Sequence, residues 1–104
     1  MTMEIYCKNT NLLELAIRHA KALSVDAKDA VVTIKRLPPQ FPQKGLIEYP
    51  RTLGKRVYMD IFIKMDDERE ITLAHEFMHV KQILTDGIID ENEAILYEKQ
   101  AVRP

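Results

Sequence analysis

Two of the three histidines in this chain of 104 residues lie four positions apart, in the segment His75-Glu76-Phe77-Met78-His79. Residues at i and i+4 of an α-helix share one face, with Cβ atoms about 5–6 Å apart. Two imidazole rings at that separation can bind one Zn²⁺ ion through nitrogens about 2.0–2.1 Å from it. Glu76, one step around the helix, could then accept a proton from a metal-activated water. The segment therefore predicts a zinc site with hydrolytic chemistry, and two histidines on a solvated helix face are the alternative.

A catalytic zinc site usually has three protein ligands and one water, so a third ligand is expected from outside this segment. Glu93 lies in a helix predicted to return alongside the first, and its position along the axis brings it within reach. Asp90 and Glu93 also have the spacing of a capping box, in which Glu93 would bind backbone instead. Glu91 and Glu98 lie on neighbouring faces of the same helix and stay open as alternatives.

The remaining polar candidates have weaker signals. His19 lies on a predicted helix among charged neighbours, and we expect it at the surface. Cys7 is a weak ligand candidate and is expected to be a small buried or edge residue. Gln82 and Asp86 follow on the same helix face as the two motif histidines. Gln82 could support a ligand or line a cleft, and a solvated helix face explains both residues equally well.

The motif at residues 75–79, together with Asn-Glu-Ala-Ile at residues 92–95, resembles the gluzincins, the thermolysin-like zinc metallopeptidases. The short chain is also similar to the small single-domain gluzincins called minigluzincins. In that family a glutamate in an Asn-Glu-Ala stretch is the third zinc ligand. The resemblance implies that His75, His79 and Glu93 bind Zn²⁺. It also implies hydrolysis of a peptide bond in a peptide or protein substrate.

The resemblance covers mainly residues 55–101, and the chain departs from the family pattern after Glu93. The family continues with Ser-Asp, whose aspartate supports a zinc histidine, whereas this chain has Leu96 and Tyr97. We therefore expect different support around the metal. The family also stabilises the oxyanion with a downstream histidine or tyrosine. Tyr97 is the nearest candidate for that catalytic role here, and ordinary packing is the alternative.

Apolar periodicity, β-branched residues and capping or turn residues predict three helices and three strands around these residues. The helices are expected at residues 10–24, from 66 or 67 to 86, and 90–102, and the strands at 30–37, 46–49 and 55–65. Capping residues are expected at Asn11 with Glu14, at Asp67 with Glu70, and at Asp90. The order predicts a single small α+β domain over residues 1–104. The resemblance implies a minimal zincin-like domain in which a strand edge above the motif helix, suggested at 55–65, binds extended substrate.

The composition limits the remaining functions. A hydrophobic content of 46%, a charged content of 30% and a formal net charge of −1 are typical of a globular domain. The balanced charge predicts no binding to nucleic acid or to an anionic membrane surface. No apolar run approaches the roughly 18 residues that span a bilayer, and the N-terminus does not read as a secretory signal. With a single cysteine as well, we expect a cytoplasmic protein, and the oligomeric state stays open.

Two other functions stay open beside a zinc peptidase. One is a zincin-like metal-binding module, regulatory or latent, with little or no peptidase activity. In a latent form, the proline-rich loop at 38–45 or the end of the chain would cover the metal. The other is a structural protein that binds no metal.

Overall fold

The structure is a computed structural model that describes residues 2–48 and 50–101. Its elements are β1 (Glu4–Cys7), α1 (Thr10–Ala22), β2 (Ala30–Arg36), β3 (Gly45–Ile47), β4 (Arg51–Leu53), β5 (Arg56–Ile63), α2 (Arg69–Thr85) and α3 (Glu91–Ala101). The described residues form an α+β fold with three helices and a mixed five-stranded sheet, which confirms the predicted class. Residues 49 and 102, the expected ends of a strand and of the last helix, lie outside the described part.

The sheet has the strand order β1-β2-β5-β3, and β4 also pairs with β5. β1, β2 and β5 are mutually parallel, and α1 forms the crossover that joins the first two of them. β3 and β4 run antiparallel to β5 on its other side. Ile47 pairs with Ile61 and Arg51 with Tyr58, so the register shifts by one residue between β3 and β4. The strand suggested as the substrate-binding edge, β5, is therefore internal, and β3 lies at the edge.

The prediction of three strands is wrong because β1 and β4 are also present. β1 has four residues and β4 has three, and all of β4 is exposed. Segments this short contain too few residues for an alternating apolar pattern to be recognised. The three strands that were predicted are present as β2, β3 and β5.

Two predicted helix caps are wrong. Asn9, rather than Asn11, caps α1, because its side-chain Oδ1 accepts a hydrogen bond from the Leu12 backbone N–H at 3.0 Å. Glu68 precedes α2 in place of Asp67, and its side chain makes no capping hydrogen bond. The helix ends themselves lie within a few residues of the predicted ones.

α2 is the central helix of the fold and contacts α1, α3, β3 and β5. Leu73, Phe77 and Val80 follow helical spacing, and each is fully buried. Burial of such side chains contributes roughly 1.5–3 kcal/mol each relative to exposure. This packing fixes the rotation of α2 so that its opposite face, which includes His75 and His79, lies against α3. In the described part of the chain every helix is too short or too polar to cross a lipid bilayer.

Candidate metal centre

His75 and His79 lie side by side on α2, with ring centroids 4.8 Å apart and the ring planes nearly perpendicular. Their Nε2 atoms face one carboxylate, that of Glu91. Nε2 of His79 is 2.5 Å from Oε1, and Nε2 of His75 is 3.4 Å from Oε2. One ligand atom from each residue can be chosen so that all three lie within 4.8 Å of one another. His79 is buried, whereas the Glu91 side chain is 64% exposed, so the cluster is open to solvent on one side.

Glu93, the third ligand implied by the resemblance, lies elsewhere. Its Oε1 accepts a hydrogen bond from Nε2 of Gln82 at 2.7 Å, and its backbone N–H donates to Oδ1 of Asp90 at 3.2 Å. Asp90 therefore caps α3, as predicted. Two residues correspond to about 200° around a helix, so Glu91 and Glu93 cannot present their side chains in the same direction. The structure brings Glu91 to the histidines and directs Glu93 to Gln82.

Each histidine has an acceptor at its other ring nitrogen. Nδ1 of His75 is 2.8 Å from Oε1 of Glu98, and Nδ1 of His79 is 2.8 Å from Oε1 of Gln82. An ionised carboxylate only accepts hydrogen bonds, so Nδ1 of His75 donates to Glu98, and Nε2 is the ring atom that faces Glu91. Glu98 and Gln82 thus hold the two rings, whereas the family pattern uses an aspartate that this chain lacks.

The side chains that converge at Glu91 have the donor atoms of a metal site. Two imidazole nitrogens and one carboxylate oxygen form a donor set typical of catalytic zinc sites. Two ligands that each lie about 2.0–2.2 Å from a tetrahedral zinc ion are about 3.3–3.6 Å apart, and the 3.4 Å between Nε2 of His75 and Oε2 of Glu91 suits that spacing. The 2.5 Å between Nε2 of His79 and Oε1 of Glu91 is a hydrogen-bond distance, so the exposed carboxylate would have to withdraw by about 1 Å to share a metal with His79. With that adjustment these residues fit Zn²⁺.

Glu76 is a buried carboxyl group beside the two histidines, with 6% of its surface exposed. Burial raises the pKa of Glu76 above its ordinary value, and the nearby rings of His79 and His75 oppose that shift. The pKa of His75 is also raised: burial opposes its charge, but the hydrogen bond to Glu98 and the neighbouring carboxylates outweigh burial. A carboxylate with a raised pKa is a stronger base near neutral pH, as a general base requires.

The edge strand β3 passes very close to α2 at Gly45. A Cβ atom on Gly45 would lie 2.5 Å from Cγ2 of Thr72 and 3.3 Å from Oε2 of Glu76. Only glycine fits this approach without displacing β3 or the Thr72 side chain. A cleft of about 340 Å³ opens here, and Gly45, Thr72, Glu76, His75 and Glu98 are among its lining residues. The cleft therefore connects the edge of the sheet to the candidate base and the first histidine.

The predicted surface position of His19 is wrong, because only 7% of the residue is exposed. Its Nδ1 lies 2.6 Å from the hydroxyl of Tyr97, and its ring packs near Phe77. Burial lowers the pKa of His19 from 6.5 to about 4, so the ring is neutral at pH 7. The hydroxyl of Tyr97, the candidate oxyanion stabiliser, is thus directed to α1. Neither His19 nor Cys7 belongs to the cluster that could hold a metal among the described residues.

From the sequence Glu91 and Glu98 are only alternatives to Glu93, and one signal could have favoured them. They lie seven residues apart, which places both on one face of α3. Since His75 and His79 also share a face of α2, such a pair could contact both histidines at once.

No protein-family model matches the chain, and comparisons with curated proteins and with solved structures found no significant match. The chemistry of the site therefore has to follow from its own side chains. These are two histidines with oriented rings, a solvent-accessible carboxylate opposite them, and a buried carboxyl group next to a cleft.

Proposed function

We propose that this chain is a zinc-dependent peptidase with a zincin-like fold. In this proposal His75, His79 and Glu91 bind Zn²⁺, and Glu76 is the general base. The observation that carries it is the convergence of both Nε2 atoms on the carboxylate of Glu91. Glu91 takes the place of Glu93, because Glu93 already accepts a hydrogen bond from Gln82.

His75, His79 and Glu91 would hold the zinc ion, which would supply positive charge that lowers the pKa of a nearby water towards 7. Glu76 would accept a proton from the water that attacks the peptide carbonyl and would return it to the amine nitrogen as the C–N bond breaks. Its burial supports this role because a raised pKa strengthens the base. Glu98 and Gln82 hold the two imidazole rings in fixed orientations throughout.

The proposed substrate is an extended segment of a peptide or protein bound along β3. Among the described strands, β3 pairs with β5 alone, so its other edge can offer backbone hydrogen bonds. Such bonds are independent of substrate side chains. Gly45 supports this placement because it is part of β3 and lies against Glu76.

A metal-binding module with little or no peptidase activity is the second candidate. It is favoured by the contact between the hydroxyl of Tyr97 and Nδ1 of His19, which directs that hydroxyl away from the role of oxyanion stabiliser. Loss of one oxyanion donor typically costs about 10²–10³ in kcat. A zinc site built in this way would bind metal and cleave slowly.

Zinc content and peptide cleavage together test the proposal. The purified parent should contain one zinc per chain by atomic spectroscopy and cleave a pool of fluorogenic peptides. Glu76→Gln should keep the zinc and lose about 10²–10⁴ of the cleavage rate. Glu70→Gln, which changes an exposed carboxylate in the first turn of α2, is the matched control. Zinc without cleavage in the parent would favour the metal-binding module, and a parent without zinc would exclude both functions.

A further inference from the structure

Gln82 is a buried polar side chain, 4% exposed, whose amide atoms all have partners. Its Oε1 accepts a hydrogen bond from the backbone N–H of Asp90 at 3.1 Å and lies 2.8 Å from Nδ1 of His79. Its Nε2 donates to the backbone carbonyl of Asp90 at 3.0 Å and to Oε1 of Glu93 at 2.7 Å. The side chain therefore joins a candidate metal ligand on α2 to the first residues of α3.

The backbone of Asp90 determines which way this amide points. A backbone N–H only donates and a carbonyl only accepts, so a reversed amide would lose both bonds to Asp90. Oε1 of Gln82 must therefore face His79, and Nδ1 of His79 must hold the proton. Nε2 of His79 faces the carboxylate of Glu91 and is the ring atom left to bind a metal ion.

We propose that Gln82 is the positioning residue of the metal centre. It selects the Nδ1–H tautomer of His79 and holds the start of α3 so that Glu91 lies opposite Nε2. Glu93 is the anchor of the Gln82 amide rather than a metal ligand. The effect on metal affinity rests on the proposed function, whereas the tautomer does not.

A neutral amide suits this position better than a carboxylate. Glu76, Glu91 and Glu98 already surround the histidines with negative charge. A carboxylate at position 82 would lack the N–H donors that bind Asp90 and Glu93, and it would repel the carboxylate 2.7 Å away. An amide fixes the ring through the same oxygen geometry without adding charge.

The first test is the tautomer of His79 in the metal-free Glu91→Leu chain, measured by ¹⁵N NMR of the imidazole rings at a pH where they are neutral. Glu91→Leu removes the carboxylate that would otherwise compete for a proton on Nε2. This chain should show Nδ1–H at His79. Adding Gln82→Leu should shift His79 toward the Nε2–H form and leave His75 unchanged, because Glu98 holds His75. Adding Glu98→Leu instead should change His75 alone. Nε2–H at His79 in the Glu91→Leu chain would overturn the proposal.

The second test is zinc affinity, measured by competition with a chromophoric chelator. Gln82→Leu should weaken zinc binding about 10–100-fold, as loss of a residue that supports a ligand does. Glu93→Gln keeps an acceptor for the Gln82 amide and should bind zinc nearly as the parent does. Glu93→Leu removes that acceptor and should weaken zinc binding about tenfold, which is the lower end of the same range.

Gln100→Leu, an exposed glutamine on α3, is the control and should leave zinc affinity unchanged. Parental affinity in Gln82→Leu would overturn the role of Gln82, and equal losses in Glu93→Gln and Glu93→Leu would make Glu93 a ligand instead. If Gln82→Leu does not fold, the exposed Glu93 variants and the spectrum of the Glu91→Leu chain still decide. Absence of peptidase activity alone would contradict the proposed function and leave this inference standing.

Discussion

The carboxylate of Glu91, on the first residue of α3, lies 2.5 Å from Nε2 of His79 in the middle of α2. The capped start of α3 directs this side chain back over the motif helix. Because the Glu91 side chain is 64% exposed while His79 is buried, the carboxylate lies on the side of the cluster that is open to solvent. A side chain in this position can be replaced without disturbing the core.

We predict that Glu91→Gln weakens zinc binding by more than the 10–100-fold expected for a supporting residue, since it removes a charged ligand. The folded chain should be otherwise unaffected, because the side chain is exposed. Competition titrations of Glu91→Gln and Glu93→Gln, two variants with the same chemical change, measure the difference. A larger loss in Glu93→Gln than in Glu91→Gln would restore the ligand set implied by the sequence resemblance.

Local patterns predicted the elements that have many residues. The apolar spacing of α1 extends over more than two turns and the alternation along β5 over several residues, so both are visible without tertiary contacts. α2 was predicted from the residues at its two ends, which are also local signals. β1 and β4 are strands because neighbouring strands pair with them, and that pairing leaves little trace in three or four residues. His19 shows a missed signal: it follows Leu12 and Ala16 at helical spacing, which indicates the buried face.

The site was predictable only as far as one helix extends. The spacing of His75 and His79 is local, so the two histidines and Glu76 could be identified from the motif alone. Which glutamate of α3 faces them depends on the rotation of α3, which the connection after Asp86 and the Gln82 contacts to Asp90 set. That rotation is a tertiary property.

We predict that Gly45→Ala destabilises the fold and lowers activity together. The added Cβ would lie 2.5 Å from Cγ2 of Thr72, so β3 or the Thr72 side chain on α2 must shift. Overpacking of this kind costs about 1–3 kcal/mol in the free energy of unfolding, measured by urea denaturation.

Thr72→Ser removes the opposing methyl group, so the double variant should recover part of the loss in stability and part of the loss in activity. Gly54→Ala is the control, because open space surrounds that position and its cost should come from backbone strain alone. Additive effects at Gly45 and Thr72 would contradict the contact.

Removal of metal should lower the melting temperature without abolishing the fold. The proposed ligands join α2 to α3, while the core between the sheet, α1 and α2 is apolar and needs no metal. Zinc at 1,000 times its Kd stabilises the folded chain by about 4 kcal/mol, which thermal melts with and without chelator would detect. Glu91→Gln should show no response to the chelator. A parent whose melting temperature is the same in both conditions would argue against a site between the two helices.

We predict that His19 makes the free energy of unfolding depend on pH. Burial lowers the pKa of His19 to about 4 in the folded chain, against about 6.5 when unfolded. Between these values the unfolded chain binds more protons, so stability rises with pH in this window. The stability that depends on neutral His19 is fully present above its pKa in the unfolded chain. It is lost as the pH falls through its pKa in the folded chain, and the loss in the free energy of unfolding is about 3 kcal/mol at most.

His19→Gln keeps a polar partner for the hydroxyl of Tyr97 but cannot take up a proton in this range. Urea denaturation of both chains, with chelator present, measures the free energy of unfolding at each pH. This free energy should fall less steeply in the variant as the pH is lowered. The pKa of His75 is raised in the folded chain and acts in the opposite direction, but it contributes to both chains and cancels in their difference. Parallel stability curves for the parent and His19→Gln would mean that the ring of His19 takes up its proton as easily in the folded chain as in the unfolded one.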